Sequence, residues 1–367
     1  AISLYVLLLI ICSIVFRQFL PIIWIVFGLL EVLLFFNFSN SFTRIWTHFS
    51  KGIFLKRLFQ SALIIRLIYV VLIYFFYEFI TGQPFEFEAA DSQAYHNLAS
   101  MIVDMMHDRN LDNFYKQIGT NYSDMGYPLY LGIFYSIFGK SILLVRMFKA
   151  FLGAYTCVLI YQLATRSFNE ITGRIAGIMA MLSPTLIYYC GMHLKETEMI
   201  FLVVLALERA DYALRSKNIR IQALIITSLA ALSLFFFRTV LAASVIFSLI
   251  TVVVFSPKKV VNFRKKILFY FWGGIIVVLM LGSVIQKNID NYLEMSDQNQ
   301  KIGLNFRTTR KDGNKLAKYG SFAIFAPILL VGPLPTLVDI ETQQNQMLLN
   351  GSYFIRNILA FFFFLSL

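Results

Sequence analysis

Residues 61–80 read SALIIRLIYVVLIYFFYEFI, twenty positions that hold only two charges, Arg66 and Glu78. A helix of that length is about 30 Å long, the thickness of a bilayer's hydrocarbon core. The run is continuous and does not alternate, so it predicts a helix and not a barrel strand. Comparable apolar blocks fall at 2–16, 20–38, 142–165, 173–192, 196–212, 221–237, 239–255, 267–285 and 353–367. Lipid cannot satisfy free backbone groups, so such blocks must be helical. The prediction is an all-α, polytopic transmembrane helical bundle of about ten to eleven spans. Two shorter apolar pieces, 127–139 and 322–338, are expected to lie at the interface or to dip partway in. The second is broken by Pro327, Pro333 and Pro335.

Composition agrees. Hydrophobic residues make up 58% and charged residues 14%, which excludes a soluble globular domain and a disordered one. The first block lacks a small-residue cleavage site and reads as a span, not a signal peptide. The chain starts at Ala1 and stops inside an apolar run, so both ends are expected to be incomplete. Cys12, Cys157 and Cys190 are far apart, without metal or redox spacing, and read as buried apolar residues.

The net charge of +12 has a location. Loops 43–60, 166–174, 208–220 and 256–266 carry the whole excess and fall on one side if each block crosses once. By the positive-inside rule that side is cytoplasmic, and the charge does not call for nucleic acid. Two long segments then face the other side. Segment 81–127 is acidic, and segment 286–352 contains a basic stretch from Lys301 to Lys318. Residues 92–107 predict an amphipathic helix on the outer face, with Leu98, Met101, Ile102 and Met105 in its apolar stripe. The chain divides into two extra N-terminal spans with a basic loop (1–60), a transmembrane core (61–285) and an outer basic loop with a last span (286–367).

Four groups can carry chemistry. Asp91, with Glu88 one turn earlier, stands just before the amphipathic helix in a run that ends at Tyr95 and His96. A carboxylate there can take a proton from an acceptor hydroxyl, help hold a divalent ion, or cap the helix. His193, Lys195 and Glu196 form a tight outer turn, where a lysine and a helix N-terminus suit a phosphate oxygen or a headgroup. Arg238 lies between two apolar blocks, and Arg356 lies near the outer end of the last; each can snorkel or face a cavity. Lys301, Arg307, Arg310, Lys311, Lys315 and Lys318 can grip lipid phosphate or simply touch anionic lipid.

The run GYPLYLGIFYSIFGK (126–140), the stretch from Arg146 to Arg166, and LSPTLIYYCG (182–191) resemble the polytopic glycosyltransferases of the GT-C class. The likeness is to the bacterial branch related to protein mannosyltransferases and the lipid A aminoarabinose transferase, and it covers residues 61–255. It implies transfer of a sugar from a polyprenyl-phosphate or pyrophosphate carrier to a glycan, lipid or protein acceptor, on the periplasmic face of the bacterial inner membrane. Asp91 matches the family's acidic position and would be the general base, with Glu88 beside it. Lys195 and Arg238 would bind donor phosphate, with His193, Arg307, Arg310 and Arg356 as further candidates. Tyr95, His96 and Glu196 complete the candidate set. No metal motif fixes a cofactor, and a divalent cation at Asp91 stays open. An O-antigen-type polymerase or ligase is the alternative, and a lipid-linked glycan flippase is a weaker one, since the chain shows no internal repeat.

Overall fold

In a computed structural model, residues 22–86, 90–107, 122–216 and 220–255 are described, together with the isolated positions 267, 355 and 359. Blocks 2–16 and 322–338, and nearly all of 267–285 and 353–367, lie outside the described residues.

Among the described residues every regular element is a helix. They are α1 (Ile22–Trp46), α2 (Lys51–Thr81), α3 (Ala90–His107), α4 (Tyr122–Phe138), α5 (Ile142–Ser167), α6 (Glu170–Leu182), α7 (Pro184–Gly191), α8 (Glu196–Arg215), α9 (Ile221–Phe237) and α10 (Thr239–Phe255). The all-α expectation holds. Among the described residues α2 and α5 are each long and apolar enough to cross a bilayer, and α6 with α7 makes a third when taken as one bent span. Three further apolar blocks among the described residues fall short of a full span. α9 and α10 have 17 residues each, or about 25 Å. α8 is longer, but Glu196, Glu198, Glu208, Arg209, Asp211 and Arg215 charge both its ends.

α5 is the centre. Its most apolar window is 56% buried, against 17% for α2. α5 packs against α2, α6, α7 and α8, and α8 continues the layer to α9. α2 turns Ile64, Ile68, Leu72, Phe75, Phe76 and Phe79 outward, the surface expected of a lipid-facing helix. α2 starts ten residues earlier than its apolar block and ends on Gly82, whose φ of 70° lets its N–H close on the Glu78 carbonyl.

The block at 173–192 is not one straight helix. It bends by 43° between α6 and α7, because Pro184 has no N–H to give the Ala180 carbonyl. Arg66, fully buried on α2, fills the gap by donating to the carbonyls of Ala180 and Met181 at 3.2 Å each. The first charge of the opening stretch thus anchors a broken helix inside the apolar core.

α3 packs on α4, as an amphipathic helix should, but its buried face is Ser92, Ala99, Ile102 and Val103. The predicted stripe is therefore rotated. Ile102 is common to both readings, while Leu98, Met101 and Met105 are half-buried. The short piece 127–139 belongs to α4, which begins at Tyr122 and carries Pro128 inside it.

The two ends of the bundle differ in chemistry. At one end Arg166 pairs with Glu208 at 2.7 Å and Asp211 at 3.0 Å. There too Arg174 pairs with Glu170 at 3.0 Å and donates to the Trp46 carbonyl at 3.0 Å. Turns 47–50 and 168–169 and the last turns of α8 lie at this end, so part of the loop charge is neutralised by ion pairs. At the opposite end segment 82–86, the α4–α5 turn, the α7–α8 turn and the α9–α10 break come together.

Candidate functional site

The second end holds buried polar groups drawn from α3, α4, α5 and α8, from segment 82–86 and from the α7–α8 turn. α5 enters there with Ser141 as its N-cap, accepting from the Leu144 N–H at 3.4 Å. One turn in, Arg146 and Lys149 lie three residues apart, on one side of the helix, and both are fully buried. Their donors are committed differently. Lys149 has three N–H groups. It donates to the Met192 carbonyl at 2.8 Å and to the Leu194 carbonyl, and lies 3.7 Å from the buried Glu198 carboxylate. It thus ties the α7–α8 turn and the first turn of α8 to α5. Arg146 donates Nη2 to the Pro84 carbonyl at 2.6 Å. Its Nε and Nη1 are buried without a hydrogen-bond partner among the described residues.

The acidic loop approaches the same arginine. Ser92 donates to Glu86 Oε1, and Glu86 Oε2 is buried without a hydrogen-bond partner among the described residues. The Glu86 charge bears on Arg146. Phe85 places its ring edge-on to His193, with centroids 6.1 Å apart, and tilted against His96 at 5.7 Å. Between the two imidazoles sits the Tyr135 hydroxyl, 2.8 Å from His96 Nδ1 and 3.2 Å from His193 Nε2. Tyr127 caps the group, its ring 6.1 Å from the His193 ring and 5.7 Å from Lys149 Nζ.

Burial and the charges of Lys149, Arg146 and His96 push the His193 imidazole well below its ordinary pKa. Partial burial and then Lys140 push His96 down as well. Both shifts favour the neutral imidazole.

The sequence-predicted residues fall into three sets. His193, Lys195, Glu196, Tyr95 and His96 come together at this end: Lys195 is buried with its Nζ 5.6 Å over the Tyr95 ring, and Glu196 opens α8. Asp91 is the second residue of α3 and exposed, and Arg238 is exposed in the extended link between α9 and α10. Glu88, Arg307, Arg310 and Arg356 lie outside the described residues. Arg146, Lys149, Glu198 and Glu86 did not stand out from the sequence as site candidates. Two cations inside an apolar block were the available signal, because intramembrane charges commonly mark sites. Among the described residues no group of three or more His, Cys, Asp or Glu is placed to hold a metal ion.

Gly126 explains how α4 reaches the group. A Cβ there would meet the Phe236 backbone at 2.6 Å. The glycine lets α4 press onto the end of α9, two residues before Arg238.

Residues 125–285 match the family model of dolichyl-phosphate-mannose-protein mannosyltransferases. This is a GT-C class family, so the resemblance read from the sequence is supported over that stretch. Arg146, Lys149, His193, Lys195, Glu198 and Arg238 all fall inside it. No curated protein and no solved structure was found to match the chain.

Proposed function

We propose that the protein is a membrane glycosyltransferase that moves a sugar from a polyprenyl-phosphate carrier to an acceptor at the periplasmic face of the bacterial inner membrane. The observation that carries the reading is Arg146: a fully buried guanidinium with two donor nitrogens unpartnered among the described residues, inside the matched segment. A buried cation with open donors suits an anionic oxygen that arrives with the substrate. Lys195 and the nearby Arg238 supply further positive charge where the sugar–phosphate bond breaks and the leaving phosphate gains charge. The basic loops at the far end of the bundle favour the cytoplasm, which supports an outward-facing site.

Asp91 is the general base of this reading. It takes the proton of the acceptor hydroxyl as the hydroxyl oxygen attacks the sugar carbon. Its exposure at the start of α3 suits a group that must meet an acceptor arriving from water. The carrier lipid lies along the apolar flank of the bundle, and the acceptor is a glycan, a lipid or a protein.

The test uses the full chain in proteoliposomes with polyprenyl-phosphate-linked hexoses, dolichyl-phosphate mannose among them, and a membrane extract as acceptor source. Labelled sugar should move to an acceptor, and Asp91→Asn should abolish transfer while expression and insertion stay normal. Full activity in that variant would remove Asp91 from the mechanism. No transfer from any such donor by the wild type would sink the reading itself.

A further inference from the structure

We infer that His96, Tyr135 and His193 form a proton relay that hands a proton to the departing phosphate. The inference rests on the glycosyl-transfer reading above. It adds a general acid, His193, and a path that supplies it.

The geometry is a chain of three groups from three elements. Tyr135 on α4 has its hydroxyl 2.8 Å from His96 Nδ1 on α3 and 3.2 Å from His193 Nε2 in the α7–α8 turn. A phenol holds one proton, so it donates to one imidazole and accepts from the other. Two hydrogen-bond patterns are thus open to the chain, and shifting each proton one step converts one into the other. The ends of the chain differ. His96 is half-buried, at the rim of the bundle. His193 is fully buried, and its remaining ring nitrogen, Nδ1, has no hydrogen-bond partner among the described residues. The chain therefore runs from the rim to an open nitrogen in the interior, close to the Arg146 cation.

The surroundings suit a conduit better than a proton store. His193 faces the rings of Phe85, Tyr127 and His96, and the charges of Arg146 and Lys149. His96 faces Phe85 on one side and feels the Lys140 charge on another. Burial and cations both oppose a resting imidazolium. A proton put on the chain is passed on.

The step balances. As the bond between the sugar carbon and the phosphate oxygen breaks, its electron pair goes to that oxygen. The phosphate takes the Nδ1 proton of His193. His193 Nε2 takes the Tyr135 hydroxyl proton, Tyr135 takes the Nδ1 proton of His96, and His96 takes one from water at Nε2. One proton enters at the rim and one leaves on the phosphate. Asp91 meanwhile holds the acceptor's proton, so the site is one proton richer until Asp91 releases that proton to water, which restores its charge. The demand comes from burial: in water a phosphate monoester with a second pKa of about 6 is mostly a dianion at neutral pH, but in a buried place the second charge is costly. Without a proton it departs as a dianion from a buried place.

Two variants break the chain and keep its packing. Tyr135→Phe keeps the ring and removes the hydroxyl. His96→Gln keeps a hydrogen-bond partner for Tyr135 and carries no mobile proton. Each should lower kcat for polyprenyl-phosphate release from a polyprenyl-phosphate hexose by about a hundredfold, the usual worth of a positioned acid, with KM for the donor unchanged. Single turnovers of the wild type should slow in D2O, and those of Tyr135→Phe should lose that slowing. A wild-type kcat and an unchanged isotope effect in Tyr135→Phe would overturn the relay. Nitrogen-15 spectra of labelled histidines give a reading that needs no turnover. Both imidazoles should be neutral at neutral pH, and Tyr135→Phe should shift the His96 and His193 signals together. If His193 does not respond, the chain is not connected, whatever the transfer assay finds. If the wild type transfers no sugar, the function proposed above fails, and the spectra still decide the chain.

Discussion

Lys149→Met tests the packing that holds the site. Methionine matches the apolar stem and deletes the ammonium. Three contacts go with it: the Met192 carbonyl at 2.8 Å, the Leu194 carbonyl, and the Glu198 carboxylate at 3.7 Å. At an effective dielectric of 20, two charges 3.7 Å apart attract by about 4.5 kcal/mol, most of which offsets the cost of burying them. What remains after the substitution is a buried carboxylate with no compensating cation. Breaking one partner of a buried pair costs about 3–5 kcal/mol. A second substitution separates the charge from the rest. Glu198→Gln in the Lys149→Met background removes the stranded charge and should recover about 2 kcal/mol, leaving the loss from the two carbonyls at about 1 kcal/mol each. The assay is reversible denaturation in mixed micelles, run as a double-mutant cycle. If Lys149→Met costs under about 1 kcal/mol, or if the two changes simply add, then Lys149 does not hold the α7–α8 turn through Glu198.

Further outcomes follow from the same contacts. Arg66→Met leaves the carbonyls of Ala180 and Met181 bare at the Pro184 bend, and unfolding in micelles should show a loss of at least about 2 kcal/mol. Gly126→Ala puts a methyl 2.6 Å from the Phe236 backbone. It should cost about 1–3 kcal/mol, while the same change at Gly52, with open space around its Cβ, should be neutral or favourable. Stability should depend on pH through His193. Its folded pKa lies below the unfolded value of 6.5, so the unfolded chain binds the proton first. Stability is then full above that value and declines as pH falls through it. The slope should shrink in His193→Gln, which melting curves at a series of pH values would check.

The fold was readable because membrane crossing is a matter of length and polarity along the chain. The blocks at 221–237 and 239–255 coincide with α9 and α10 to the residue, divided at Arg238. Where the reading slipped, a local rule had been outweighed. The block at 173–192 is apolar throughout, yet Pro184 bends it, and it keeps its place because a side chain from α2 supplies the missing donors. The α3 stripe was drawn for a helix facing lipid. The helix instead faces α4, where Gly132 leaves room for Ile102.

The candidate site divides in the same way. His193, Lys195 and Glu196 were visible because polar residues in a short turn between apolar blocks are conspicuous. Arg146 and Lys149 were harder to see as site residues, since a charge near the end of an apolar block has a sufficient explanation in snorkelling. Only burial distinguishes the two cases, and burial depends on what packs alongside.

Composition and block length by themselves determined that this chain is a helical membrane protein, and its charged loops divided its two ends. These are sums along the chain and do not depend on which helix lies beside which. Tertiary structure decided which charges are held in the interior and which donors stay open. Lys149 and Arg146 are near neighbours in one helix, yet one has its donors taken by the α7–α8 turn and the other keeps two free among the described residues. That difference is set by where neighbouring backbones put their carbonyls, which no spacing along α5 records.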